Sequence, residues 1–203
     1  MTGKRDDGWD RIADTPDGPV RVTPTDPKKL REKLRRSGFA YLQRYSASEA
    51  HFSELMQNKL RRWETAGYVA LGETRAVDLV AELTHEFREL GLLDDAGFAA
   101  SRVASARRKG TSRLKIALGL RAKGVDGDLA KAAIEEDGTD ETMAALRFCR
   151  RRRIGPWRRG ERPDRDGLNR EMATLVRQGF AGQLARAVVL LSPEEAEEKL
   201  GVS

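Results

Sequence analysis

A chain of 203 residues with 38 Lys and Arg against 32 Asp and Glu carries a formal charge of +6. Charged residues make up 34% and aromatics only 6%, which excludes a large aromatic core and points to a solvated, mainly helical protein. No run approaches the ~20 apolar residues that span a bilayer, and one cysteine, Cys149, excludes an intrachain disulfide.

In chain order, residues 1–25 mix Gly, Pro, Asp and Arg without periodicity and are expected to form a flexible tail. Asp26 followed by Pro27 reads as an N-cap and first helical position. The helix carries Leu30, Leu34, Phe39, Tyr41 and Leu42 to about Arg44, with Gly38 as a bend or break. Ser46 or Ser48 caps a second helix holding Phe52, Leu55, Met56 and Leu60. A looser connection follows at 64–74. A third helix at 75–90 places Val77, Val80, Leu83, Phe87 and Leu90 on one stripe, and Gly91 stops it.

Residues 92–136 predict three short helices. Asp94 or Asp95 caps the first, which turns Phe98, Val103 and Ala106 inward, and Gly110 ends it. Ser112 opens the second, where Leu114, Ala117, Leu118 and Arg121 share a face that places Leu118 in the core. Gly124 ends that helix, Asp126 opens the third, and Leu129, Ala133 and Ile134 give it an apolar side. Asp137-Gly138 breaks the chain. The last unit carries Met143, Leu146 and Phe148 in its first helix. Residues 150–167 read as a loop or partly disordered insertion, richest in Pro and Gly at 155–167. Helices resume at 168–178 and 183–191, and 192–203 reads as a frayed acidic tail.

KGVDGDLAKAAI at 123–134 matches QGFAGQLARAVV at 178–189 at five of twelve positions. The sequence therefore predicts an all-α fold: three tandem three-helix repeats, at 26–91, 92–136 and 137–191, in an elongated, curved array.

Catalytic chemistry is not visible. His51 and His85 lack a second ligand at zinc spacing, and surface histidines account for both. Cys149 has arginine neighbours but no histidine partner, so a half-buried structural thiol is expected. Lys109-Gly110-Thr111-Ser112 reverses the order of a phosphate loop, and Asp94-Asp95 is explained by helix capping. No enzyme, cofactor or metal is expected.

Basic runs carry the functional reading. Arg107, Arg108, Lys109, Arg113, Lys115, Arg121 and Lys123 cluster in the middle repeat, where eight Lys or Arg and no acid lie between Arg102 and Lys123. Arg150, Arg151, Arg152, Arg153, Arg158 and Arg159 occupy the corresponding turn of the last repeat. Their recurrence suggests a shared binding edge, because arginine suits bidentate contact with carboxylate or phosphate. Trp157 suits either stacking on a base or partner ring, or plugging the gap between units.

AYLQRYSASEAHFSELMQNKLRR, ELGLLDDAGFAASRVASARRKGTSRLKIALGLRAKGV and LVRQGFAGQLARAVV together resemble the RecX family of bacterial recombination regulators. The likeness spans about 28–191. It departs in a long connection at 64–74 and the proline-rich insertion. The resemblance implies a cytoplasmic, non-enzymatic inhibitor that binds the RecA recombinase, chiefly as its filament on single-stranded DNA. It further implies restraint of ATP hydrolysis and strand exchange, with a role in DNA repair and the SOS response. A monomer with weak DNA binding of its own and no membrane partner is expected. The alternative is a general basic nucleic-acid binder that uses helix-turn-helix-like elements.

Overall fold

The computed structural model describes residues 27–69, 73–161 and 163–201; the expected tail and the Asp26 cap lie outside them. Among the described residues ten α-helices follow one another: α1 Pro27–Leu42, α2 Glu49–Thr65, α3 Glu73–Glu89, α4 Asp95–Arg108, α5 Arg113–Arg121, α6 Gly127–Glu136, α7 Glu141–Arg152, α8 Arg165–Arg177, α9 Gly182–Leu190 and α10 Pro193–Leu200. No strand is present among the described residues. Short polar side chains set the helix starts. Ser48, Asp94, Ser112, Asp126 and Asp140 each accept a hydrogen bond from a first-turn N–H, which satisfies a donor that the helix cannot.

The helices gather around three separate apolar clusters. Leu34, Phe52, Leu83 and Phe87 centre the first, from α1, α2 and α3. Val103, Ile116, Leu120 and Ala130 centre the second, from α4, α5 and α6. Leu146, Cys149, Leu175 and Val188 centre the third, from α7, α8 and α9. Among the described residues only Leu93, just past the first unit, joins the cluster of a neighbour, so the protein is an array of tandem three-helix repeats and not a single-core globule. The sequence repeat is also structural. Val125 and Phe180 are both buried, as are Ala130 and Ala185, and Ile134 and Val189.

Several expectations are corrected. Gly38 makes no break; it lies inside α1, where an added Cβ would stand 2.8 Å from the Phe87 ring and 3.0 Å from the Phe52 ring. Its role is to let two aromatic rings approach the backbone. On α3, Val80, Leu83 and Phe87 are buried, but Val77 and Leu90 are exposed. The apolar face of α5 is not the expected one. Ile116 and Leu120 are buried, while Leu114 and Leu118 are 57% and 58% exposed.

The last repeat is more ordered than its composition suggests. α7 runs on to Arg152, and Arg153 closes it in the left-handed conformation, at φ 56°. A 3-10 turn follows at Gly155–Trp157, with Gly155 and Pro156 buried. The Glu171 carboxylate pins this turn: it accepts the Gly155 N–H at 3.2 Å and pairs with Arg158 at 2.8 Å. The expected frayed tail is α10. Ser192 and Glu195 form a reciprocal capping box at its start, Pro193 stands in the first turn, and Ala196 is fully buried in the third cluster.

The two faces of α5 are separable by mutation. Leu118→Asp should change stability by no more than about 0.5 kcal/mol, as expected for a surface site. Leu120→Asp should cost more than about 3 kcal/mol by placing an unpaired charge among apolar side chains. Urea unfolding followed by circular dichroism checks both.

Candidate partner interface

Adjacent units meet through a polar joint that occurs twice. At the start of α2, the Ser48 hydroxyl accepts the His51 N–H and donates to the Lys123 carbonyl at the end of α5. At the start of α5, the Ser112 hydroxyl accepts the Lys115 N–H at 3.1 Å and donates to the Gln178 carbonyl at the end of α8, 2.5 Å away. Both serines are fully buried. The next N–H in each helix is also taken across the joint. Glu49 N–H donates to Asp95 Oδ1 at 2.8 Å, and Arg113 N–H to Glu141 Oε1 at 3.1 Å. Each carboxylate comes from the first helical residue of the following unit and sits at a helix N-terminus, where negative charge is favoured.

Glycine completes the joint. Gly124 and Gly179 have φ of 71° and 88°. A Cβ on Gly124 would collide with Ala50, and one on Gly179 would lie 2.6 Å from Ser112 Oγ. Only glycine permits both the turn and the close approach. His51 belongs to this joint too. Its Nε2 stands 3.3 Å from Lys123 Nζ, and burial, then the Lys123 charge, holds its pKa below the usual imidazole value.

The joint divides the predicted basic edge. Arg107 is only 2% exposed. It pairs with Glu141 at 2.7 Å and Asp137 at 3.5 Å, and donates to the carbonyls of Thr111 and Thr139. It therefore fastens the second unit to the third and presents nothing to solvent. Arg113 lies beside the same Glu141 at 3.8 Å, and Lys115 donates to Gln178 Oε1 at 2.5 Å. Lys123 contacts His51 across the first joint. Arg158 is held by Glu171 and the Val189 carbonyl. Trp157 packs on the apolar cluster of its own, third unit, its indole N–H buried and unpartnered among the described residues. Lys109 and Arg121 remain exposed on the middle unit.

The remaining arginines converge. A cleft of about 420 Å³ is lined by Arg108 from the end of α4, Arg147, Arg150 and Arg151 from α7, and Leu200 from α10. No carboxylate of the described residues lines it. A second hollow of about 410 Å³ lies beyond the end of α7, between Arg152, Arg153, Arg158, Arg159, Glu161, Pro163 and Glu171. Arg108, Arg150, Arg151, Arg152, Arg153 and Arg159 make no ion pair among the described residues. Four guanidinium groups around one acid-free cleft repel one another, and an anion entering it relieves that repulsion. Arg147 was missed as a candidate. Its spacing from Arg150 and Arg151, three and four residues on, is the signal that places it on their face of α7.

Other reactive groups are occupied or inert. Cys149 is fully buried, and burial pushes its thiol up to about 12, beyond the half-burial expected. Exposed His85 shares a hydrogen bond with Arg88 at 2.8 Å. Asp94 caps α4, and Asp95 serves the joint. Among the described residues no group of three or more His, Cys, Asp or Glu could hold a metal, and no helix is long and apolar enough to cross a membrane.

These features define an all-helical tandem-repeat protein with an arginine-lined cleft. The comparisons then place it. The family model described as "RecX, second three-helix domain" matches residues 94–134, the span of α4, α5 and α6. A Regulatory protein RecX from Myxococcus xanthus is 31% identical over 183 residues, 87% of this chain and 96% of that protein. Another, from Agrobacterium fabrum, is 38% identical over 108 residues, 53% of this chain and 57% of that one. The chain belongs to the RecX family. The crystal structure of RecX from Lactobacillus salivarius shares its fold, with a TM-score of 0.53 at 16% identity over 86% of this chain and 99% of that one.

Arg107→Ala should lower unfolding stability by about 3 kcal/mol, because Glu141 and Asp137 lose a buried partner. Arg108→Ala should change it by less than about 0.5 kcal/mol. Cys149 should resist a thiol reagent at pH 8 in the native protein and react only after denaturation, as a stopped-flow labelling assay reads directly.

Proposed function

We propose that the chain regulates homologous recombination and DNA repair by binding the RecA recombinase, chiefly as its filament on single-stranded DNA. Bound there, it restrains ATP hydrolysis and strand exchange. The observation that carries this reading is the acid-free cleft of Arg108, Arg147, Arg150 and Arg151, built from two adjacent units of a repeat array. A nucleoprotein filament offers a regular surface of protein with phosphate close by. A row of rigidly jointed units suits it, because each unit that docks raises the effective concentration of the next. Bidentate arginine contacts to phosphate or carboxylate would hold the chain across neighbouring protomers and resist the rearrangements that hydrolysis and exchange require. The regulator works as a cytoplasmic monomer, with no cofactor and no chemistry of its own.

A second reading, direct nucleic-acid binding by the helical units, draws on the same cleft. The two differ in salt response: phosphate contacts alone give affinity that falls steeply with salt.

Substoichiometric protein should lower the DNA-dependent ATPase of RecA. The Arg108→Glu/Arg150→Glu/Arg151→Glu variant should lose at least about tenfold in inhibitory potency with unchanged helicity, since like-charge juxtaposition costs several kcal/mol. Unaltered ATP turnover at saturating wild-type protein would refute the recombinase reading. Tight, steeply salt-dependent binding to bare DNA would then favour the second.

A further inference from the structure

The face of α5 that the core does not use is the clearest unassigned surface. Leu114 and Leu118 lie one turn apart on α5, 57% and 58% exposed, and Arg121 continues their row. Across the joint, a Cβ on Gly179 would stand 3.3 Å from Leu114 Cβ, so the end of α8 borders this row. Val176, one turn before Gly179, is 49% exposed. Large aliphatic side chains standing together in water are unusual on a chain so rich in charge. They do not arise from a poorly made helix: α5 is capped by Ser112 and buries Ile116 and Leu120 on its other side.

The surroundings select the occupant. α5 contributes Arg113, Lys115 and Arg121 and no acid. The end of α8, residues 172–178, contributes Arg177 and no acid. Glu141, beside Arg113 at the start of α5, is the acid next to this row, and it is already engaged by Arg107. With Lys115, Arg121 and Arg177 on the two helices, the row is complementary to a segment with aliphatic side chains on one stripe and carboxylates beside it. Single-stranded nucleic acid is a poorer match, because its bases seek aromatic platforms and this row has none. The row is also distinct in composition from the Arg108 cleft, which has Leu200 as its only apolar lining residue.

We infer that Leu114, Leu118 and Val176 form a docking row, across the joint of the second and third units, for an acidic, aliphatic-bearing helical segment of a protein partner. This rests on the reading above to the extent that the partner is the recombinase. The division of labour is then physical: the cleft takes anionic groups, with salt-sensitive strength, and the row takes protein, with strength that survives salt.

The test uses the full chain and a synthetic amphipathic peptide with leucines at i and i+4, flanked by glutamates. Amide shifts on peptide titration should map to residues 113–121 and 176–179. Leu114→Ser/Leu118→Ser should weaken peptide binding at least about tenfold, the scale expected when two leucine side chains lose their burial. The same variant should keep its melting temperature and its affinity for a single-stranded oligonucleotide within twofold. Co-sedimentation with RecA filaments at high salt should fall in parallel. Shifts confined to the arginine cleft, an absence of peptide binding, or equal loss of oligonucleotide binding would each overturn the inference. So would self-association of the wild type that the variant abolishes, since the row would then belong to a second copy. Failure of the wild type to sediment with filaments refutes the recombinase reading alone, and the peptide titration still decides the docking row.

Discussion

The structure depends on a buried serine hydroxyl used twice over. Ser48 and Ser112 each cap their own helix and, with the same oxygen, donate to the carbonyl that ends a helix of the next unit. Capping satisfies an orphan donor; donation satisfies an orphan acceptor. Losing the hydroxyl would strand both in a site closed to water, and an unpaired buried polar group costs about 1–3 kcal/mol. The positive φ at Gly124 and Gly179 aims those carbonyls, and the missing Cβ lets the helices close to contact. Asp95 and Glu141 add a carboxylate to the same helix N-termini. The second joint is thus a chemical copy of the first.

Small units need such joints. A small three-helix unit such as the middle one buries too little surface to be comfortably stable alone. Stacking supplies the rest, and stability becomes a sum of unit and interface terms. Here the apolar clusters stop close to the unit boundaries, with Leu93 reaching across the first, and the serine joint adds a polar, directional term. A directional joint fixes the angle between neighbours, which apolar packing alone does less well. Under the proposed function, a fixed angle would let successive units meet successive features of one target.

The same logic sorts the arginines. Arg107 and Arg158 are surrounded by carboxylates and carbonyls and act as internal fasteners. Arg108, beside Arg107 in sequence, points into an acid-free cleft with Arg147, Arg150 and Arg151. Identical side chains at consecutive positions thus do opposite work, and the difference lies wholly in which neighbours the fold brings to each. Arg113 and Lys115 are intermediate: each serves the joint while its side chain stays exposed.

The sequence by itself determined most of the helices, several of their caps and the repeat. Ser48, Asp94, Ser112 and Asp126 are legible because capping is a local contest between a side chain and the first turn, settled within a few residues. The match of 123–134 to 178–189 is legible because equivalent burial selects equivalent residues. Even the cationic excess of α7 was plain. Only the tertiary structure decided which face of α5 is buried. Leu114 with Leu118, and Ile116 with Leu120, fit helical spacing equally, and docking on α6 chose the second pair. It also decided that Arg107 is a fastener, that 155–157 folds under Glu171, and that the acidic tail is a helix seated by Ala196. In each case the deciding partner is distant in the chain. Periodicity and local charge report what a segment can do, and packing selects which of those possibilities is used.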